Sequence, residues 1–348
     1  MKKHITLLVA AVCGLLSLVG CSEKKKELHL YNWVDYVSPE AIERFETEYN
    51  CKVVMDYFDS NEAMYAKLKA GATGFDVVFP SSYQSKIMDA EGMLMHLDKS
   101  KLPNLKHMDA DFLKFTAVDK KMVYSVPYMT GATVIAYRES KVPNFKPTWD
   151  MFLREDLKGR MTLLNDMREV IGAALIKLGY SVNSTNEAEL AQAEALVKLW
   201  KPNIAKFENE GYKAGIGSGE FVLVHGYAGD LMQVIEENED YDIKLAIPEE
   251  GTPVWVDDMV ILKDAPDAEL AYAFVNFMYD PEISKLNMEF NYIQCPNKDA
   301  YSLVDPEISG NPILFLPEKI RAKSEQILDV GKDLPKYTKV WDQIKSGN

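Results

Sequence analysis

Short apolar runs and amphipathic segments alternate along the chain from residue 28 onward. The alternating run Leu28-His29-Leu30 predicts a first strand, and Ser38 followed by Pro39 is typical of a helix start. The mostly apolar run Phe75–Phe79 predicts a third strand covered on both faces. Residues 28–80 therefore read as strand, helix, strand, helix, strand, with Lys52–Tyr57 as the second strand.

The pattern after residue 80 is less regular and predicts a crossing into a second domain. We expect strands over Val123–Pro127 and Val134–Tyr137 around a turn at Gly131, and a later strand over Val254–Ile261 interrupted by an acidic loop. The other predicted strands are Met161–Leu164, Phe221–His225 and Ile243–Ile247. The other predicted helical segments are Asp89–Leu97, Phe112–Val118, a helix ending near Leu178, Glu187–Lys201, a helix ending near Glu237, Ala268–Tyr279, Glu282–Glu289 and most of Leu316–Ile344.

The two halves of the chain alternate strands and helices in a similar way. This pattern predicts an α/β fold with two lobes, joined by crossing strands, and a ligand cleft between the lobes. The expected boundaries place residues 28–131 and 256–303 in lobe 1. Residues 132–255 and 304–348 then form lobe 2.

The first 27 residues carry processing signals rather than a predicted fold. Lys2 and Lys3 precede an apolar run from Ile5 to Val19, which is short for a membrane span. The run ends in Leu18-Val19-Gly20-Cys21, which resembles the bacterial lipobox. That resemblance implies a signal peptide over residues 1–20, lipidation of Cys21 and a tether over residues 21–27, so the protein would be anchored outside the cytoplasmic membrane, in the periplasm or its equivalent.

Composition narrows the class of partner. The 348 residues carry a formal net charge of −14, which argues against nucleic acid and leaves cationic small molecules open. Cys51 and Cys295 remain after the signal; an exported compartment permits a disulfide between them, but their distance is not readable from sequence. The sequence has no Cys-x-x-Cys motif and no pair of histidines at metal-ligand spacing, so neither a metal nor a cofactor is expected.

Five stretches place carboxylates or hydroxyls next to aromatic residues, each near the end of a predicted strand. In an open α/β sheet, ligands bind at the carboxyl ends of the strands. Carboxylates accept N–H bonds and aromatic rings offer π faces, so the combination suits an organic cation. The stretches contain Trp33, Asp35 and Tyr36; Ser81 and Tyr83; Asp166 and Glu169; Tyr227 and Asp230; and Trp255 and Asp257.

Each of these residues also has a purely structural interpretation. Trp33 and Tyr36 can be core packing, and Asp166 with Glu169 has the spacing of a capping box. Asp230 can cap the helix that it opens, and Asp257 with Asp258 can form a turn. Arg168 is expected to be a structural ion-pair partner rather than a ligand contact.

Several motifs resemble those of the bacterial spermidine/putrescine-binding proteins, the extracellular receptors of polyamine ABC importers. The resemblance runs in register from Leu28 to about Asn297 and implies the type II periplasmic binding protein fold, in which two lobes close on the ligand. It rests on Tyr31-Asn32-Trp33-Val34-Asp35-Tyr36, Asp59-Ser60-Asn61-Glu62, Lys67-Leu68, Pro127-Tyr128, Arg168-Glu169-Val170 and Gly226-Tyr227-Ala228-Gly229-Asp230.

The resemblance also implies roles for individual residues. Ser81 would lie at the rim of the site and Tyr292 would close one end. An aromatic box around the methylene chain would consist of Trp33, Tyr36, Tyr83, Tyr227 and Trp255. The ammonium groups would be held by Asp35, Asp166, Glu169, Asp230 and Asp257. The implied partners are a polyamine and the permease and ATPase subunits of an importer, and the protein itself is expected to be a monomer.

Departures from the family pattern leave the ligand open. The position of Tyr227 is a tryptophan in the family members compared. Asp230 resembles the putrescine-preferring branch, whereas Asp166 and Trp255 resemble the spermidine-preferring branch. Gln326 lies close to a family glutamine but out of register.

Three other classes of function compete with this interpretation. A binding protein of the same fold for another cationic or polar solute is the main alternative. A hydrolase could pair Asp257 with Glu169 or Asp35, but five acids among aromatics fit a polycation better than a two-acid mechanism. A purely structural lipoprotein is the remaining alternative, and the sequence favours a binding protein over an enzyme.

Overall fold

A computed structural model describes residues 25–115, 118–237 and 242–346. The predicted signal peptide and the lipidation site Cys21 lie outside these residues, as do residues 22–24 of the predicted tether. The tether prediction is wrong at its far end, because the first strand already begins at Lys26. None of the helices in the described ranges is long and apolar enough to cross a membrane.

Ten strands and thirteen α-helices alternate along the described ranges. The strands are β1 Lys26–Asn32, β2 Cys51–Tyr57, β3 Val77–Val78, β4 Val126–Arg138, β5 Met161–Leu163, β6 Ile204–Phe207, β7 Leu223–Tyr227, β8 Ile243–Ala246, β9 Pro253–Ile261 and β10 Glu325–Gln326. The helices are α1 Pro39–Glu48, α2 Asn61–Lys69, α3 Ser82–Ala90, α4 Ala110–Phe115, α5 Met167–Lys177, α6 Glu187–Trp200, α7 Gly211–Ser218, α8 Ala228–Glu236, α9 Ala268–Met278, α10 Pro281–Asn291, α11 Pro306–Ser309, α12 Glu318–Arg321 and α13 Leu334–Ser346.

The strands follow the order β2-β1-β3-β9-β4-β7-β5-β6, with β10 beside β9 and β8 beside β4. β1 pairs in parallel with β2 and β3, and β5 pairs in parallel with β6 and β7. The long strands β4 and β9 are antiparallel to each other and link the two parallel sets. The mixed α/β architecture predicted from the alternation of elements is therefore present.

Two large hydrophobic clusters lie on either side of this pair of strands. One draws its buried residues from positions 28–129 and 259–304, and the other from positions 134–243 together with 314 and 337–344. A smaller third cluster surrounds Tyr31, Phe58 and Phe75. The exact limits of the two lobes stay a prediction.

The turn predicted at Gly131 is absent from the described structure, because β4 runs unbroken from Val126 to Arg138. Gly131 pairs with Trp255 of β9 inside the ladder. A Cβ atom on Gly131 would lie 2.5 Å from Cζ2 of the Trp255 indole. The glycine is therefore needed for close approach of a ring, not for a turn.

The acidic loop predicted within residues 254–261 is also wrong. Asp257 pairs with Met129 and Asp258 pairs with Pro127, both within the β4–β9 ladder. Asp257 also forms a β-bridge with Ser81 on its other side. Consecutive acids predict a loop because carboxylates usually need water around them. Here the hydroxyls of Tyr36 and Ser81 donate to the Asp257 carboxylate in place of water, so it can lie inside the sheet.

Two further segments differ from the sequence prediction. Residues 91–97 are not helical; Leu94 instead bridges Leu262. Helix α7 was not predicted, because its three glycines are poor helix formers. Tertiary packing overrides that preference, since Tyr212 and Ile216 on α7 are fully buried.

The remaining predictions hold in part. The C-terminal tail contains α12, β10 and α13 rather than continuous helix. Both Cys51 and Cys295 are buried free thiols in the structure, so they do not form a disulfide there.

Candidate ligand-binding site

One cavity brings together loops that lie far apart in the sequence. It encloses about 1040 Å³ of space not occupied by protein atoms, including open solvent. Eleven of the twelve residues predicted for the site line it: Trp33, Asp35, Tyr36, Ser81, Tyr83, Asp166, Glu169, Tyr227, Asp230, Trp255 and Asp257. Their ligand-binding role stays a prediction. The rule that parallel crossovers bring loops to one edge accounts for the residues after β1, β3, β5 and β7, whereas Trp255 and Asp257 reach the cavity from inside the antiparallel strand β9.

Asp257 is held by two side-chain hydroxyls, one on each carboxylate oxygen. Its Oδ2 accepts a hydrogen bond of 2.8 Å from the Tyr36 hydroxyl, and its Oδ1 accepts one of 2.7 Å from Ser81 Oγ. The side-chain amide of Asn61 donates to Ser81 Oγ, which fixes that hydroxyl in turn. Burial raises the pKa of Asp257 to about 7, although both hydroxyl donors favour the charged form.

Asp166 and Glu169 lie at the start of α5. Asp166 caps the helix as predicted, because its Oδ1 accepts from the backbone N–H groups of Arg168 and Glu169. The Glu169 side chain instead points to Thr133, whose hydroxyl donates to Oε2 at 2.9 Å. Burial, followed by the charge of Asp166, raises the pKa of Glu169 to about 8. The capping and cavity-lining interpretations of Asp166 are thus compatible.

Asp230 lines the same cavity but has a different set of partners. It is the third residue of α8 and does not cap the helix, since the N-cap position is Tyr227. Its Oδ2 accepts a hydrogen bond of 2.6 Å from the Tyr212 hydroxyl and lies 4.0 Å from Nζ of Lys213. Burial raises the pKa of Asp230, against the opposing effects of Lys213 and the Tyr212 hydroxyl.

Aromatic rings form walls between these acids. The Trp33 indole donates to the backbone oxygen of Phe79 and packs edge-on against Phe58, so it is held by the first strand and its neighbours. Tyr227 and Trp255 meet edge to face with centroids 6.3 Å apart. The buried Nε1 of Trp255 has no hydrogen-bond partner among the residues described. The rings offer apolar surface for a hydrocarbon chain.

Arg168 has a structural role, as predicted, but its partners differ from those expected. Its Nη1 donates to the backbone oxygen of Leu328, and its Nη2 donates to Oδ1 of Asn183. The guanidinium also lies over the Tyr337 ring, 4.7 Å from its centroid. These partners are neutral, so the predicted ion pair is replaced by hydrogen bonds, although Arg168 does line the cavity.

Tyr292 is not among the residues that line the cavity, and its role in closing one end of the site stays a prediction. It ends α10 in the left-handed conformation with φ 55°, and its side chain packs against the hydrophobic cluster of residues 134–243. Its neighbours Asn291 and Ile293 line the cavity instead. The out-of-register Gln326 donates to Ser82 Oγ at 3.1 Å, and Ile327 beside it faces the cavity.

Sequence reasoning did not assign several charged residues that line the cavity. Asp59 stands in a quoted motif but had no role, whereas Glu210 and Lys213 lie at the unpredicted helix α7. With these included, the described lining has seven carboxylates and two basic side chains, Arg168 and Lys213. The seven acids are Asp35, Asp59, Asp166, Glu169, Glu210, Asp230 and Asp257. Such a surplus of acids attracts cations and repels anions. The described residues contain no cluster of three or more side chains suited to a metal ion.

Known proteins match the chain over nearly its whole length. Residues 40–315 match the family described as bacterial extracellular solute-binding protein. The spermidine/putrescine-binding periplasmic protein of Escherichia coli is 33% identical, and the match covers 100% of both chains. A putrescine/cadaverine-binding protein of Pseudomonas aeruginosa is 32% identical, with 99% of each chain covered.

A solved structure confirms the predicted fold. The TpPotD lipoprotein of Treponema pallidum superimposes with a TM-score of 0.83 at 38% identity, covering 92% of this chain and 99% of that one. The prediction of a binding protein rather than a hydrolase is likewise confirmed by the family match. The chain belongs to the bacterial extracellular solute-binding proteins, in the group that contains the spermidine/putrescine-binding proteins, and has their mixed α/β periplasmic binding protein fold.

Proposed function

We propose that this protein captures polyamines, spermidine or putrescine or both, in its cavity and delivers them to an ABC importer. The observation that carries the proposal is the cavity itself, where seven carboxylates and only two basic groups share the described lining with several aromatic rings. The names of the relatives agree with it, since they are described as binding putrescine, cadaverine or spermidine.

The chemistry of the site fits a flexible chain with charged amines. Burial disfavours the ionised forms of Asp257 and Glu169, and an ammonium group beside either carboxylate would stabilise its charged form. The carboxylate would in turn stabilise the ammonium group, which loses water on entering the cavity. The methylene groups between the amines would lie against Trp33, Tyr227 and Trp255. Ammonium groups of the ligand that lie over the faces of these rings would each add roughly 0.5–2 kcal/mol to the binding free energy.

The location of the protein is part of the same proposal. The lipobox-like sequence ending in Cys21 supports lipidation and anchoring outside the cytoplasmic membrane, where a receptor for an importer is needed. Wild-type protein should incorporate a labelled fatty acid in growing cells, whereas a Cys21→Ala variant should not. Equal absence of label from both proteins would contradict the anchor.

Closure of two lobes completes the proposed mechanism. Residues 28–131 with 256–303 and residues 132–255 with 304–348 would move about the crossing strands β4 and β9 and enclose the ligand. Contacts between residues of different predicted lobes include the hydrogen bond from Gln326 to Ser82 and the pair of Lys86 and Asp329, whose Nζ and Oδ2 atoms lie 3.3 Å apart. Partial opening of these contacts would admit the ligand.

A binding protein of the same fold for another cationic or polar solute is the alternative. A thermal unfolding screen with polyamines, basic amino acids, neutral sugars and phosphate separates the two. The proposal predicts that polyamines alone raise the unfolding temperature strongly, because only they place several ammonium groups along an apolar chain. Stabilisation by another class, with none by polyamines, would favour the alternative.

A further inference from the structure

A lysine of the protein already lies among the acids at one end of the cavity. Nζ of Lys213 is 3.4 Å from Oε2 of Glu210 and 4.0 Å from Oδ2 of Asp230. Burial lowers the pKa of Lys213, but the carboxylates of Asp230, Glu210 and Asp35 outweigh it and hold that pKa above its ordinary value. The lysine is therefore a fixed positive charge at neutral pH.

Five of the seven cavity acids fall into two groups according to what binds them; Asp166 caps α5 and Asp59 belongs to neither group. Asp257 and Glu169 accept hydrogen bonds from the hydroxyls of Tyr36, Ser81 and Thr133, which carry no charge. Asp230, Glu210 and Asp35, in contrast, share the ammonium of Lys213. A ligand amine meets carboxylates held by neutral hydroxyls in the first group, with only the more distant charge of Arg168 acting on Glu169, and an occupied position in the second.

The backbone keeps Lys213 in this place. Its helix, α7, is anchored by Tyr212 and Ile216, both fully buried. The Tyr212 hydroxyl also donates to Asp230, so the helix that carries the lysine is bonded directly to the acid that the lysine faces. About 22% of the Lys213 side chain remains exposed, which leaves room to replace it without opening the core.

We propose that Lys213 acts as a built-in ammonium group that fills one amine position of the cavity, and that it thereby makes the site select diamines over triamines. The proposal rests on the function proposed above. A diamine such as putrescine would place its two amines at Asp257 and Glu169. The third amine of spermidine would have to compete with Lys213 for Asp230.

The test measures the dissociation constants of putrescine and spermidine by calorimetry at 150 mM salt. Wild-type protein is expected to bind putrescine more tightly. Lys213→Gln and Lys213→Met should both shift the ratio of the two constants toward spermidine by about tenfold, because a vacated position beside Asp230 accepts the third amine. Lys198→Gln removes a surface lysine paired with Glu194 outside the cavity and should leave the ratio unchanged.

Repeating the Lys213→Gln substitution in Asp230→Asn protein distinguishes two causes of a shift: a vacated amine position beside Asp230, or the change in overall charge. In Asp230→Asn protein the carboxylate proposed to receive the third amine is neutral, although Glu210 still pairs with the lysine, so Lys213→Gln should shift the ratio far less than it does in wild-type protein. A shift of undiminished size there would mean that only the overall charge matters, and would overturn the proposal. Tighter binding of spermidine than putrescine by wild-type protein, or an unchanged ratio in both Lys213 variants, would also overturn it. If wild-type protein binds neither amine, the failure is that of the proposed function.

Discussion

Tyr36 and Asp257 form a buried hydrogen bond of 2.8 Å between residues 221 positions apart. The bond joins the loop after β1 to the middle of β9, one of the two strands that connect the halves of the sheet. Ser81 occupies the other oxygen of the same carboxylate. Because both partners are neutral, Asp257 is held in place while its charge stays uncompensated. That is the arrangement expected of an acid that receives a cationic ligand.

Polyamine affinity should rise with pH between pH 6 and pH 8. The pKa of Asp257 is about 7 and that of Glu169 about 8, so both carboxyls are substantially protonated at pH 6. An ammonium ligand binds the ionised forms, lowers both pKa values and releases protons. We expect affinity to increase on the order of tenfold to a hundredfold over this range. Calorimetry in two buffers of different ionisation enthalpy measures the affinity and the protons released, and a flat profile with no release would refute this linkage.

The stability of the protein without ligand should change in the opposite direction. A folded-state pKa near 7 for Asp257 exceeds the unfolded value of about 3.9, so the folded state holds the proton more tightly. The resulting stabilisation is full below about pH 4 and is lost as pH rises through 7.

Asp257→Asn isolates this contribution, because the amide cannot ionise. Between pH 5 and pH 8, wild-type protein should lose about 2–3 kcal/mol of unfolding free energy through ionisation of Asp257, and the variant should not. The difference between the two proteins should therefore change by that amount in favour of the variant. The same variant should bind polyamines far more weakly. Denaturant unfolding at both pH values provides the measurement, and a pH-independent difference between the two proteins would show that Asp257 does not titrate in this range.

Gly131→Ala should weaken ligand binding although glycine offers no side chain to a ligand. The added Cβ would lie 2.5 Å from Cζ2 of Trp255, so the indole must move. Overpacking of this kind costs roughly 1–3 kcal/mol of folding stability, and if Trp255 is a wall of the binding site, displacement of its ring lowers affinity as well.

Trp255→Ala serves as the comparison for this variant, since it removes the ring instead of displacing it. Circular dichroism should show both variants folded, with affinity lower in both. Normal affinity in Trp255→Ala would remove that ring from the site, whereas a lost fold would assign it to the core.

Breaking the contact between Lys86 and Asp329 should have only a small effect. The two side chains join the predicted lobes beside the cavity, but 56% of the Lys86 side chain is exposed. Exposed pairs contribute about 0–1 kcal/mol, so Lys86→Gln should raise the dissociation constant by less than about fivefold. A loss as large as that of Asp257→Asn would mean that closure depends on this pair.

Most residues of the cavity could be predicted from the sequence, because they lie next to strands that the local hydrophobic pattern predicts. Trp33, Asp35, Tyr227 and Asp230 follow strands, and the topology of parallel strands brings such loops together. The role of Gly131 was not readable, because it depends on a ring 124 positions further along the chain, at Trp255. Lys213 was missed because its glycine-containing helix forms through burial of Tyr212 and Ile216 rather than through propensity.

The acids in strand β9 show a related limit. Asp257 and Asp258 are polar and consecutive, so local pattern favours a turn, yet the buried hydroxyls of Tyr36 and Ser81 hold Asp257 within the sheet. Partners that come from distant parts of the chain decide whether a buried carboxylate is tolerated. Tyr292 shows that a neighbouring position in the sequence is not sufficient. Its neighbours Asn291 and Ile293 line the cavity, but Tyr292 does not.

Calorimetric titration of the protein lacking residues 1–21 with putrescine, cadaverine, spermidine and spermine tests the central claim most directly. The account predicts tight one-to-one binding of at least one of these amines, and its near loss in Asp257→Asn. Absence of both heat and thermal stabilisation with all four amines would contradict polyamine binding.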